Sequence, residues 1–107
     1  MRIERIPDPR VREEIYRADL SNARFLGGTD LSGARFHHAI LNKANLMNAK
    51  LKGVSLAKAE MTQANLMGAD LRQADLTGAV AKSAVLSKAN LEQAKLVGTN
   101  LMEGNLK

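Results

Sequence analysis

The chain has 107 residues, a formal net charge of +5, 45% apolar residues but only 3% aromatic ones, and no cysteine. One small domain is expected, with a core of Leu, Ala, Val, Ile and Met, and disulfides or thiolate metal centres are excluded. No apolar run approaches the roughly 20 residues that cross a bilayer, and Met1-Arg-Ile-Glu-Arg-Ile-Pro7 lacks the apolar run of a secretory leader. The expected location is therefore cytoplasmic, with a secreted effector that has no cleavable leader left open.

Residues 1–17 do not repeat. In "DPRVREEIY" Asp8 suits a helix N-cap and Pro9 the first helical position, while Val11 and Ile15, four apart, share a face. A short helical cap is predicted there, ahead of a repeat domain over 18–107.

From Leu31 a large apolar residue recurs every five residues up to Leu106, giving 16 centres of which 13 are Leu. The others are Phe36, Met61 and Ala81. Two places before the centre stands Ala in 12 of the 16 units, and one place before it Asn or Asp is frequent, as in "ANLMG", "ADLRQ" and "ADLTG". Two earlier units centre on Leu20 and Phe25, and the six-residue step from Phe25 to Leu31 contains Gly27-Gly28. A one-residue bulge is predicted at those glycines.

A period of five forms no stripe on an α-helix, where five residues advance about 500°. On a strand, Ala and the centre share a side but the next Ala falls on the other. Both stay inside only if the chain turns by about a right angle per unit. Four units then close a square coil of about 20 residues, and coils stack at roughly the 4.8 Å spacing of paired strands. Ala81 is the weakest centre, so the coil is expected to pinch there, or Val80 and Val85 to lean in.

The repeats "ANLMG", "ADLRQ", "ADLTG" and "ANLEQ" resemble those of pentapeptide-repeat proteins, in register over about residues 18–107. The resemblance implies an all-β fold, a right-handed quadrilateral β-helix, here of about four and a half coils.

Positions 20 apart should stack, which gives a surface map. The face with centres 31, 51, 71 and 91 balances Lys50, Lys52 and Arg72 against Asp30, Asp70 and Glu92. The next carries Arg35, Lys58 and Lys95 with Asp75, and the third Lys43 and Lys82 with Asp19, Glu60 and Glu103. The fourth, with centres 46, 66, 86 and 106, has Arg24, Lys88 and Lys107 and no acid. It is also the more apolar one. Leu26, Met47 and Met67 share a column, with Val85 close by and Ile40 and Val80 on the adjoining face. This is the candidate protein-binding face, set against the ordinary scatter of surface apolar residues.

No catalytic, cofactor or metal site is expected. His37 and His38 are adjacent and outward, with no third ligand near in sequence. The recurrent Asn and Asp read as structural. Lys43, Lys50, Lys52 and Lys58 form the densest basic run, but no outward aromatic is expected on the coils to stack bases, which disfavours nucleic acid.

A non-catalytic scaffold or adaptor is therefore expected, of the bacterial interaction type that the resemblance implies, with no partner named by the sequence. The chain stops inside a repeat at Asn105-Leu-Lys107. An open last coil is expected, with Leu91, Leu96, Leu101, Met102 and Leu106 as a candidate assembly end for a second copy, a larger partner or further sequence. The alternative implied by the family is a DNA-mimicking gyrase-binding protein. A net charge of +5 has the wrong sign for that role.

Overall fold

Backbone pairing joins each unit to the one four units on. The computed structural model describes residues 19–25 and 27–106. In it, parallel bridges link Asp30 to Lys50, Lys50 to Asp70 and Asp70 to Asn90. Beside this column run Arg35–Ser55–Asp75–Lys95, Asp19–Ile40–Glu60–Val80–Asn100 and Arg24–Asn45–Asn65–Val85–Asn105. Each column is one side of the square coil expected from the period, named below by its Asp30, Arg35, Ile40 or Asn45. The expected helix over residues 1–17 lies outside the described residues.

Two hydrogen bonds lock each bridge from Arg24–Asn45 onward. The Leu51 N–H donates to the Asp70 carbonyl at 2.8 Å, and the Asp70 N–H donates to the Ala49 carbonyl at 3.0 Å. Within a unit, the Ala44 N–H donates back to the Leu41 carbonyl at 3.0 Å and closes the corner. From Leu31 to Leu101 the residue two after each centre has positive φ, for example 62° at Lys43, 60° at Gln63 and 69° at Gly53. A negative φ followed by a positive one, closed by that bond, is the pattern of a type II turn. The corners are therefore regular turns, and the right angle per unit comes from them.

Ala and the centre point inward as expected. Ala44, Leu46, Ala64 and Leu66 are fully buried, and no polar or charged side chain among the described residues is. Thr99 replaces an inner Ala, and its hydroxyl donates to the Leu76 carbonyl at 2.6 Å, so the half-buried oxygen is not left unpaired.

The bridged separation is 21 residues at Asp19 and Arg24 and 20 from Asp30 onward. The extra residue is thus absorbed between Arg24 and Asp30, where Gly28 takes φ 78° and its N–H reaches the Asn48 carbonyl at 3.2 Å. Phe25 and Phe36, from opposite sides, meet edge to face in this coil with ring centres 6.3 Å apart. Two large rings fill the axis where the perimeter is longest.

Ala81 departs from the expectation. It is buried, yet Val80 is 37% exposed and Val85 half-buried at outward positions, so neither leans in. The pairing does not pinch either: Met61 N–H to Val80 carbonyl is 2.6 Å and Ala81 N–H to Asn100 carbonyl 2.7 Å. Directly beneath Ala81 in the stack is Met61, fully buried and unbranched. A flexible thioether chain suits the space that a short neighbour leaves.

Candidate interaction surface

The outward Asn and Asp act locally. Asn45 and Asn65 each accept, through Oδ1, the backbone N–H of the Met two places on, at 3.1 and 3.0 Å. Asp30, Asp70, Asp75, Asn90 and Asn100 do the same for Ser32, Arg72, Thr77, Glu92 and Met102. These are Asx turns that satisfy the first N–H of each corner. The structural reading of these residues stands, but they support their own turn rather than each other. Where Glu60 takes the place of an Asx residue, Asn42 of the coil below accepts the Thr62 N–H at 2.9 Å.

Charge follows from this geometry. Arg72 hydrogen-bonds the Asp70 carboxylate through Nε at 2.8 Å and Nη2 at 2.6 Å, and so holds its pKa down at about 2. Asp30 is lowered by the Ser32 backbone N–H, and Asp75 by the Thr77 hydroxyl and then its N–H. Lys82 and Glu103 face each other at 3.9 Å. The basic run Lys43, Lys50, Lys52 and Lys58 is dispersed around one coil: Lys50 stands mid-face, and the others on three different corners. The histidines hold an edge-to-face pair 6.4 Å apart, and His37 Nδ1 meets Ser55 Oγ at 3.1 Å. Among the described residues no three His, Cys, Asp or Glu side chains come together as a metal site.

Of the candidate binding face, Met47 and Met67 stack on adjacent rungs, the Asn48 N–H donating to the Met67 carbonyl at 2.8 Å. Both are half-buried, and Ser87 follows them in the column. Val85 stands mid-face above Asn65. Ile40 and Val80 share a column but are separated by Glu60. Leu26 lies outside the described residues. At the other candidate region, Leu96, Met102 and Leu106 are 40%, 59% and 56% exposed, and Leu91 and Leu101 partly buried. Val97, at 72%, is the most exposed large apolar residue among those described. Sequence reasoning passed over it, although an apolar residue one place after a centre was the very signal used at Met67.

Among the described residues no helix is long and apolar enough to cross a membrane. A family model described as pentapeptide repeats (8 copies) matches the chain twice, over residues 29–66 and 64–101. The fold is similar to Rfr23, a pentapeptide repeat protein from the cyanobacterium Cyanothece 51142, with a TM-score of 0.82, 34% identity and coverage of 86% of this chain and 63% of that one. It is also similar to a pentapeptide repeat protein from the Arabidopsis thaliana thylakoid lumen, with a TM-score of 0.85, 35% identity and coverage of 90% and 66%. HetL, a pentapeptide repeat protein involved in heterocyst differentiation regulation in Nostoc sp. strain PCC 7120, matches with a TM-score of 0.75, 35% identity and coverage of 79% and 40%. The chain thus spans less than two thirds of the length of each. No curated protein matches it. The repeats, the square coil and these likenesses converge on a right-handed β-helix, and the chain belongs to the pentapeptide-repeat family.

Proposed function

We propose that the protein is a non-catalytic scaffold or adaptor that binds other proteins through its coil faces. The observation that carries this reading is the division of labour among side chains. Every fully buried side chain among the described residues is apolar, and the outward Asx carboxylates and amides cap turns. What the coils display is ladder faces and corners with exposed apolar side chains, Val80 on a face and Val97 and Met102 at corners. Such surfaces suit protein contacts. Cytoplasmic residence and an end-to-end dimer through Leu91, Leu96, Leu101, Met102 and Leu106 are part of the proposal. The gyrase-binding alternative gains nothing from the columns, because none carries consecutive acids.

Photo-crosslinking residues placed singly at Met67, Val80 and Met102 test the scaffold in cells. Discrete protein adducts from one or more of these sites are expected. Absence of adducts at all three, with the protein folded and abundant, overturns the reading. Light scattering at increasing concentration tests the dimer, and a constant monomer mass rejects it.

A further inference from the structure

We infer that the Asn45 face and its flanking corners form a docking site for an acidic, apolar-containing peptide segment of a partner protein, an inference that rests on the scaffold reading. The first ground is charge. Each of the other faces has a carboxylate in its central column, from Asp30 and Asp70, from Asp75, or from Asp19 and Glu60. The Asn45 column has none and begins with Arg24. Its corners add Lys43 and Lys88, both exposed, and the only acid there among the described residues, Glu103, lies opposite Lys82.

The second ground is hydrogen-bond polarity. Asn42, Asn45 and Asn65 have each committed Oδ1 to a backbone N–H. An amide with its oxygen engaged presents its NH2 outward. The face therefore offers donors and cations, and its complement is a chain of carboxylates. The third ground is the apolar content of the same surface, Met47, Met67 and Val85, half-buried and lining adjacent rungs. Methionine adapts to varied apolar side chains. Nucleic acid fits less well, because the described aromatics, Phe25 and Phe36, are buried. The four rungs from Arg24 to Val85, spaced at roughly 4.8 Å, match about five residues of extended chain at about 3.3 Å each. The expected ligand is thus a short stretch alternating Asp or Glu with Leu.

Fluorescence polarisation with a labelled Glu/Leu-alternating peptide tests this, against a Lys/Leu peptide, polyglutamate and a single-stranded oligonucleotide. The acidic amphipathic peptide is expected to bind, and tighter than the other three. Arg24→Glu/Lys43→Glu/Lys88→Glu should weaken it at least about ten-fold. The control Lys52→Glu/Lys58→Glu/Lys95→Glu, with the same net charge on other faces and corners, should change it less than about two-fold. Equal losses in both triple variants, or preference for the oligonucleotide or for polyglutamate, overturn the docking site. Failure of the peptide with crosslinked adducts still formed in cells removes this site alone. Failure of both removes the scaffold reading as well.

Discussion

At Gly53, Lys58 and Gln63 the backbone turns the same way, with φ of 69°, 58° and 60°, under three different side chains. A left-handed residue with a Cβ carries a cost of about 1–2 kcal/mol. What offsets it is the N–H of that same residue, which donates to the next coil: Gln63 to the Lys82 carbonyl at 2.8 Å, Lys58 to Thr77 at 2.8 Å. Gln63→Gly should therefore raise stability, by less than about 1 kcal/mol because glycine also loosens the unfolded chain. Gln63→Val should lower it, since a β-branched residue is a true outlier at positive φ. Urea titration of the three proteins gives the order; a Val variant as stable as Gln63 contradicts the turn assignment. Asp70 supplies a second test. Its folded pKa of about 2 lies below the ordinary 3.8, so the ionised form stabilises the fold. That contribution is present above the unfolded value and is lost as the pH falls through the folded one. Asp70→Asn keeps an acceptor for the Arg72 N–H but removes the titration. Its stability should decline less steeply than wild type between about pH 4 and about 2, as read by urea midpoints. An unchanged acid limb means the Arg72 pairing contributes nothing to pH dependence.

One coil side is the element, and its inner residues are judged by what stacks above and below. Elsewhere on the axis Leu lies over Leu, as in Leu46 and Leu66, while Met61 lies under Ala81. Ala81→Leu alone adds bulk where Met61 already fills space. It should still stabilise, and Met61→Leu/Ala81→Leu should exceed the sum of the single changes because the pair is in contact range. Thermal melts of the four proteins close that cycle, and strict additivity would show that the two do not share the space. The square itself was legible because two inner residue types repeat at a period that neither helix nor straight strand can bury. The turn conformation was hidden by Lys, Gln, Ser and Glu at left-handed positions that are ordinarily read from Gly. A subtler signal was present: none of those positions holds Val, Ile or Thr, whereas Thr62, Thr77 and Val97 stand one place earlier. Of the candidate surface, the Met47–Met67 column followed from the register alone. Val97 stood out less because its column, His37, Ala57 and Thr77, holds no second large apolar residue, and the separation of Ile40 from Val80 by Glu60 shows that sharing a column is not the same as touching.

Across the whole molecule each coil touches only its neighbours, so stability is a sum of coils and interfaces rather than a property of one centre. The described residues extend over 31 × 23 × 23 Å, with the fully buried Leu and Met centres concentrated in the middle coils. Leu66 is covered from both sides, by Leu46 below and Leu86 above, through pairing at 2.7 Å in each direction. Leu96 is 40% exposed, and among the described residues its partner in the stack lies below, where the Leu76 N–H donates to the Lys95 carbonyl at 2.8 Å. The same chemical deletion must therefore act differently by position. Leu66→Ala should cost about 2–5 kcal/mol and lower the cooperativity of unfolding, since it weakens two interfaces at once. Leu96→Ala should cost less than about 1–2 kcal/mol, because part of the side chain is already in water. Native-state hydrogen exchange adds a spatial reading. In wild type, amide protection should peak over the rungs near residues 55–75 and fall towards 91–106. In Leu96→Ala the loss should stay confined to the last coil, whereas in Leu66→Ala it should spread to both sides. Equal costs, with exchange rising uniformly along the chain, would mean that the stack unfolds as one unit and that nearest-neighbour coupling does not govern this β-helix.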